Sequence, residues 1–346
     1  MTHAADAYAQ AGVPLDAAER AKREMRTAIE ATHPLGVLGG IGHFGGLFDI
    51  SVLGLRQPVL VSSIDGVGTK LKLAFALDRH RSVGSDLVAH CVNDILVCGA
   101  RPLFFLDYLA LGKMDERQAV EVVAGVAEGC RAAGCALIGG ETAAMPGFYA
   151  PGEYDLAGCV VGVVERERLV TGEAIRAGDV ALGFPSAGLH TNGYSLARKV
   201  FEAEDLARVV PELGRSLGDE MLQPHRGYLA AVTPLLDAGL VTGMAHITGG
   251  GLVDNLPRVL PEGLGVMLDA STWEIQPIFR LIQRQGGIAW SEMARVFNLG
   301  LGYVVFCRPE QAEAALALAK PHGARRVGTV RTLTDGEPRV TLEGLL

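Results

Sequence analysis

The sequence predicts a two-domain α/β (α+β) fold, and three observations carry that prediction. Strand-like and helix-like apolar segments alternate through both halves of the 346-residue chain. A charged, weakly periodic stretch at residues 165–178 separates the halves, which places domains at 1–168 and 169–346. Hydrophobic residues make up 49% of the chain and charged residues 20%, so large cores are affordable and disorder is excluded.

The elements follow in order. Residues 16–32 read as a helix, with Asp16 as its cap, Glu19 at the capping-box spacing and Pro34 just beyond its end. A glycine-rich run at 39–46 suits neither helix nor strand. Residues 59–64 are a short β-branched strand leading directly into Asp65-Gly66-Val67-Gly68-Thr69-Lys70. Helical periodicity returns at 83–97, where Val83, Leu87, Val88, Cys91, Val92, Ile95 and Leu96 are apolar. Residues 103–111 form a buried-strand pattern interrupted by Asp107, 115–133 a helix, 135–138 a strand ending in Gly139-Gly140-Glu141-Thr142, and 154–164 another strand. In the second half, strands are expected at 180–184 and 303–307. Helices are expected up to Val200, at 227–238, from Leu252, at 275–285 and at 310–320.

Composition excludes several classes. Glycine is the outlier at 45 residues, nearly twice the usual share of roughly 7%. The glycines are not periodic and cluster in loops, where backbone can approach a ligand closely. The formal net charge of −8, with no basic block, argues against nucleic-acid and membrane partners. Cys91, Cys98, Cys130, Cys135, Cys159 and Cys307 form no Cys-x-x-Cys pair and sit in apolar sequence, as expected for buried thiols in a reducing compartment. No apolar run approaches the roughly 18 residues of a membrane helix, and the start Met1-Thr2-His3-Ala4-Ala5-Asp6 lacks a signal-peptide core. A cytoplasmic protein is expected.

Five constellations are candidates for chemistry. In the segment 65–70, a carboxylate at a strand end precedes two glycines, a hydroxyl and a lysine. Asp65 suits Mg²⁺, Gly66 and Gly68 let N–H groups reach phosphates, Thr69 adds a hydroxyl, and Lys70 can neutralise phosphate charge. The spacing is not that of a Walker A loop, and a tight turn with a solvated lysine is an equal alternative. On the 83–97 helix, Asp86, His90, Asn93 and Asp94 share one face, read either as a solvated stripe or as a metal or ribose site at Asn93-Asp94. Glu141 at a strand's carboxyl end and Asp107 within an apolar strand are the third pair, Asp107 needing a partner, a cation or a loop position. The fourth is Ser186-Ala187-Gly188-Leu189-His190-Thr191-Asn192-Gly193 before a helix, in which His190 and Asn192 can bind or polarise a carbonyl or amidine. Thr248, Gly249, Gly250 and Gly251 precede another helix start with the same phosphate logic. The fifth is the loop of Gly39, Gly40, Gly42, Gly45 and Gly46, either a flexible linker or a flap over a triphosphate.

Together these segments resemble the phosphoribosylformylglycinamidine cyclo-ligase family, the aminoimidazole ribonucleotide synthetases of purine biosynthesis. The resemblance runs from Tyr8-Ala9-Gln10-Ala11-Gly12-Val13 almost to the C-terminus and is most specific at residues 59–72, 86–113, 129–147, 188–195 and 246–257. It implies a homodimer whose N-terminal sheets pair into a barrel, with a C-terminal α/β domain completing the substrate cleft. It implies ATP near the glycine loop, Asp65–Lys70 and Asn93, and Mg²⁺ on Asp65, Asp94 and Glu141. It places the ribonucleotide at His190, Asn192 and Thr248 to Gly251, with His190, Lys70 and Asp107 as the catalytic candidates. The implied reaction turns formylglycinamidine ribonucleotide and ATP into aminoimidazole ribonucleotide, ADP and phosphate. The chain departs from the family pattern at His43, where glycine is usual, at Ala144, where glutamate is usual, and at Ser63-Ile64, where Gly-Thr is common. Thiamine monophosphate kinase, another enzyme of this architecture, and a nucleotide sensor that binds ATP without turnover are the alternatives. Selenophosphate synthetases and hydrogenase-maturation dehydratases fit less well, because this chain has no reactive cysteine near either end.

Overall fold

The computed structural model describes residues 15–40, 42 and 44–345. They divide into two compact units. The first runs to Glu167 apart from Leu96–Gly99, and the second holds Leu96–Gly99 and everything from Arg168 onward. Among the described residues no helix is long and apolar enough to cross a membrane.

The first unit contains α1 (Leu15–Glu30), β1 (Val37–Leu38), β2 (Leu47–Phe48), β3 (Pro58–Gly66), α2 (Leu71–Leu77), α3 (Arg81–Leu96, the last residue of which belongs to the second unit), β4 (Arg101–Leu111), α4 (Glu116–Ala133), β5 (Ala136–Ala144) and β6 (Tyr154–Glu165). Its main sheet has the order β3-β6-β4-β5. β6 pairs antiparallel with β3 and β4, while β4 and β5 are parallel, joined by α4 as a crossover. Strand alternation separates two faces. On one, Phe105, Leu109 and Val160 are fully buried; on the other, Leu60, Ile64, Leu106 and Tyr108 stand exposed. α4 earns its place by helical periodicity: Ala119, Val122, Val123, Val126, Ala127 and Cys130 are buried, Asp115 caps its start by accepting from the Gln118 N–H at 3.1 Å, and Gly134 ends it at φ 68°. α3 and α4 touch backbone to backbone. A side chain at Gly84 or Gly125 would collide with the main chain of Val122 or Arg81 across the contact.

α1 already includes Asp16 in its first turn, so Asp16 acts there through the helix dipole and not as the expected cap. β5 also runs further than the pattern suggested. The glycines and Glu141 that looked like a loop after the strand are ladder positions inside it, because β4 supplies hydrogen-bonding partners up to Ala144.

The second unit contains β7 (Val180–Pro185), α5 (Tyr194–Val200), β8 (Val209–Val210), β9 (Arg215–Ser216), α6 (Leu217–Met221), α7 (Leu229–Asp237), β10 (Gly243–His246), α8 (Gly251–Asn255), β11 (Leu264–Asp269), α9 (Pro277–Gly286), α10 (Trp290–Val296), β12 (Leu301–Cys307), α11 (Ala312–Ala319), β13 (Arg325–Thr332) and β14 (Val340–Glu343). Six strands form a sheet in the order β10-β12-β7-β13-β11-β14. Every residue of β12 is buried, since both faces of the sheet are covered. Val304 and Phe306 pack with Leu268 and Trp273 on one side. Tyr303, Val305 and Cys307 pack with Tyr228, Val232 and Leu235 on the other. Asp179, at the entry to β7, is buried and held by Arg308 at 2.8 Å and the Thr242 hydroxyl at 2.9 Å.

Candidate active site

In the first unit, β3 delivers Asp65 and Gly66 to the end of the sheet, and the chain turns through a short 3-10 segment, Gly68–Lys70, into α2. Gly68 has φ 66°, a left-handed conformation that glycine adopts without strain. The polar stripe of α3 does not face solvent. Asp86 and Asn93 are fully buried and His90 is 5% exposed. The stripe lies over this end of β3 and meets it one side chain at a time. The Ser63 hydroxyl donates to Asp94 Oδ2 at 3.1 Å. His90 Nε2 is 3.7 Å from Asp65 Oδ2. Lys70 Nζ is 2.6 Å from Asp86 Oδ2.

The side chain of Lys70 has no exposed surface and its ammonium meets a buried carboxylate, a structural role beside the phosphate contact expected of it. Burial drives the ammonium below its usual range, and the adjacent Asp86 carboxylate opposes the shift. Lys70 anchors the turn that carries Gly66, Gly68 and Thr69.

Asp107 sits one strand in from Asp65's partner. Cross-strand register aligns Asp65, Gly158, Asp107 and Gly140 in one row, so Asp65 and Asp107 project from the same face of the sheet. Asp107 folds over Gly140, where any side chain would strike its carboxylate. Loss of water pushes the Asp107 carboxyl up to about 7, against a favourable hydrogen bond from its own backbone N–H.

Glu141 follows Gly140 and pairs in register with Tyr108, so alternation turns it to the opposite, exposed face of the sheet. Asp65, Asp94 and Glu141 therefore do not converge, and among the described residues no three acidic, histidine or cysteine side chains are grouped to hold a metal. Asp65 and Asp94 remain as the pair on one face.

The glycine loop rises from the β1–β2 ladder, in which Val37 opposes Phe48. Gly39 and Gly42 have φ 87° and 114°. Side chains added at Gly40, Gly42 or Gly45 would meet nothing within 4 Å, whereas Gly46 packs directly against Ile138. The departure at His43 lies outside the described residues, as does Ile41. Ala144 is the last residue of β5, paired with Leu111.

In the second unit, the loop after β7 carries His190 and Asn192. His190 has φ 63°, uncommon for a side-chain-bearing residue, and its ring is completely buried. Its Nε2 accepts the Ala187 N–H at 3.0 Å. It stacks on His225 with centroids 4.1 Å apart, and the backbone of Gly302 lies too close behind it for any side chain there. The ring is thus enclosed by protein, and in this arrangement His190 shapes the loop. Asn192 is presented differently. Its Oδ1 lies 3.4 Å from where a Cβ on Gly249 would stand, and among the described residues its Nδ2 has no hydrogen-bond partner.

α8 has five residues and α5 seven, so each offers little more than a first turn of free N–H groups. Asn255 Nδ2 donates to the carbonyls of Gly249 and Gly251 at 3.1 and 2.8 Å, and the Thr248 hydroxyl donates to Asn255 Oδ1 at 3.2 Å. Gly250, at φ 98°, and Gly251, pressed against the Ala294 backbone, serve the turn itself. Gly249 alone faces Asn192.

Sequence reasoning missed His225 and the placement of His246. Their rings are 5.3 Å apart, and the Thr191 hydroxyl is 2.8 Å from His225 Nδ1. His225 stands alone in Gln223-Pro224-His225-Arg226, and its partners are 21 to 35 residues distant, so no local period announces it.

Two family models match the chain: "AIR synthase related protein, N-terminal domain" over residues 49–164 and "AIR synthase related protein, C-terminal domain" over 176–340. Among curated relatives, the phosphoribosylformylglycinamidine cyclo-ligase of Geobacillus thermodenitrificans is 55% identical over 309 residues, 88% of this chain and 89% of the relative. That of Nitrosospira multiformis is 52% identical over 338 residues, 97% and 96% of the two chains. That of Desulfitobacterium hafniense is 53% identical over 306 residues, 88% and 90%. Among solved structures, thiamine-monophosphate kinase from Stenotrophomonas maltophilia superposes with a TM-score of 0.69 at 19% identity, covering 93% of this chain and 96% of that one. Hydrogenase maturation protein HypE in complex with ATP gives 0.63 at 20% identity, covering 92% and 88%. At such identities these two structures share the fold.

Proposed function

This chain belongs to the phosphoribosylformylglycinamidine cyclo-ligase family, and we propose that ATP and Mg²⁺ sit at the Asp65–Asp94 corner and the ribonucleotide against Asn192 and Gly249. The reaction is the ATP-dependent closure of formylglycinamidine ribonucleotide to aminoimidazole ribonucleotide in purine biosynthesis, a ligase activity that forms a carbon–nitrogen bond.

The chemistry explains why no nucleophilic side chain is needed. The formyl carbon is a poor electrophile because its oxygen is a poor leaving group. Transfer of the ATP γ-phosphoryl group to that oxygen releases ADP and creates a phosphate leaving group. The amidine-side nitrogen then bonds to the carbon, phosphate departs, and the five-membered ring closes. The protein's task is to position the reactants and stabilise charge. Gly66, Gly68 and Thr69 are exposed on the turn, where backbone N–H groups can approach phosphate oxygens. Asn192 Nδ2 offers an uncommitted donor to the ribonucleotide.

Asp65 and Asp94 fit Mg²⁺, which takes oxygen ligands and is held by one or two carboxylates together with substrate phosphates. When bound, Mg²⁺ would neutralise charge on the β- and γ-phosphates. Asn93 is buried beside this pair and would orient it; Glu141, on the other face, is left out. Asp107, whose carboxyl is raised to about 7 by loss of water and so can both hold and release a proton near neutral pH, is in the same row and is the candidate proton carrier of this corner. The glycine loop would close over the phosphates.

The exposed apolar row of Leu60, Ile64, Leu106 and Tyr108 supports pairing of two first-unit sheets in a homodimer, which sedimentation equilibrium tests directly: a mass of one chain rejects it. The first unit would then bind ATP and dimerise, and the second would supply the substrate side.

The observation that carries this assignment is the meeting of the α3 stripe with the end of β3. Phosphate release should require both ATP and formylglycinamidine ribonucleotide; ATP binding with no ribonucleotide-dependent release would identify a sensor instead. Asp94→Asn should fold normally yet lose roughly 100-fold in kcat/KM, and wild-type kinetics in that variant would remove the metal role.

A further inference from the structure

The second unit holds one histidine for which the reaction described above has no use. His225 lies between α6 and α7, on neither loop of the candidate ribonucleotide site, yet it touches both. Its ring stacks on His190 at 4.1 Å with a 21° interplanar angle. Its Nδ1 is 2.8 Å from the hydroxyl of Thr191, the residue before Asn192. Its Nε2 is 3.2 Å from Nε2 of His246, the last residue of β10 and two residues before Thr248. His190 is fully buried, and His225 and His246 are each 5% exposed.

These contacts fix where protons can be. Two imidazole nitrogens 3.2 Å apart share one hydrogen. Either Thr191 O–H donates to His225 Nδ1 and His225 Nε2–H donates to His246, or both bonds run in the reverse direction. In each arrangement an unbroken chain of directional bonds links Thr191, His225 and His246. An apolar side chain of equal volume would fill the space without joining the loops.

What the chain joins is the pair of groups proposed to meet substrate. Asn192 follows Thr191, and Gly249 comes three residues after His246, with Asn192 Oδ1 only 3.4 Å from the position of a Gly249 Cβ. We propose that His225 is a positioning residue for the ribonucleotide: it pins the 186–192 loop to the 246–251 loop and so sets Asn192 against Gly249. This rests on the assignment of those two loops to the ribonucleotide. A ligand held by two loops is sensitive to their spacing, since a misplacement of about 1 Å can reduce rate about 100-fold.

The test uses the full-length protein with His225→Ala, His225→Gln and His225→Asn. The amide of Gln reaches toward His246, whereas that of Asn reaches only toward Thr191. KM is measured separately for the ribonucleotide and for ATP, and amide hydrogen exchange is followed over residues 246–251. His225→Ala should raise the ribonucleotide KM about tenfold, leave the ATP KM within twofold, and speed exchange over 246–251. His225→Gln should recover the exchange protection and part of the KM, and His225→Asn should not recover the protection. Equal changes in both KM values, or faster exchange with an unchanged ribonucleotide KM, would reduce His225 to an ordinary core residue. If His225→Ala does not fold, the Gln and Asn variants carry the same comparison. Asn192→Ala is run alongside. An unchanged ribonucleotide KM in that variant overturns the loop assignment itself; a raised KM there with none in His225→Ala overturns only the role of His225.

Discussion

The two candidate sites solve the problem of burying polar groups in opposite ways. In the first unit the polar groups are ionic: Lys70 and Asp86 meet with no exposed surface, while Asp65 and Asp94 remain near the strand end. In the second unit they are imidazole rings and hydroxyls, with His190, His225 and His246 in contact and Thr191 bonded to the middle one. An ionic corner suits a metal-bound polyphosphate, whose charge must be balanced. A hydrogen-bonded stack of rings suits a site that must hold its shape. The contrast teaches that a buried charge in this protein is compensated by another protein charge, and that the charges left near the surface are the ones available to ligand.

The largest expected effect tests the ionic side. Lys70→Met should destabilise by about 3–5 kcal/mol, because it strands Asp86 as a buried unpaired carboxylate. Lys70→Met combined with Asp86→Leu should recover most of that loss, since well-packed apolar pairs replace buried ion pairs at little cost. Urea midpoints of both variants measure this. The double variant should also bind ATP within about threefold of wild type, a change worth less than about 0.7 kcal/mol. A stable double variant that has lost ATP affinity would return Lys70 to the phosphates and dissolve the contrast.

The next effect concerns Asp107, the carboxyl that shares a row with Asp65 and, among the described residues, has no cationic partner of the Lys70 kind. Its folded pKa of about 7 lies above the ordinary 3.8, so between those values the folded state holds a proton that the unfolded state has released. Stability contributed by this group is therefore lost as pH rises from about 4 to about 7 and is constant above. Asp107→Asn removes the titration. Relative to its effect at pH 4, the substitution should gain roughly 4 kcal/mol at pH 8, while activity falls. Urea titrations at the two pH values decide the matter, and a gain independent of pH would show that Asp107 ionises normally.

How much of this was legible in the sequence follows from the same contrast. The ionic corner announced itself because each part is local. Asp86, His90, Asn93 and Asp94 repeat at helical spacing, and Asp65–Lys70 follow a strand without a break. What the pattern could not show was direction. Nothing in the spacing says that Lys70 turns inward to Asp86, or that β5 continues through Gly139 and Gly140 and thereby flips Glu141 to the other face; both depend on partners brought by tertiary pairing. In the second unit the glycines before α5 and α8 mark helix starts, but their spacing does not show that the helices stop after seven and five residues. The histidine chain was invisible for a simpler reason: its members come from three segments, and an isolated histidine carries no period. β11 and β13 escaped as well, because glycine, arginine and threonine interrupt the apolar runs Leu264–Asp269 and Arg325–Thr332.

The smallest effect sharpens the comparison most. The Ser63 hydroxyl is bonded to a proposed Mg²⁺ ligand, donating to Asp94 Oδ2 at 3.1 Å. It is to Asp94 what Thr191 and His225 are to Asn192, a support behind a contact. Ser63→Ala should cost about 1 kcal/mol of stability, the usual net worth of one partly buried hydrogen bond. Asp94 keeps its charge in this variant but loses its orientation, so the Mg²⁺ concentration for half-maximal rate should rise about tenfold while kcat at saturating Mg²⁺ stays at the wild-type value. Asp94→Asn, in contrast, should not be rescued by any Mg²⁺ concentration. If Ser63→Ala instead lowers kcat at saturating Mg²⁺, orientation in the ionic corner governs the reacting geometry itself, and the two candidate sites depend on their supports in the same way.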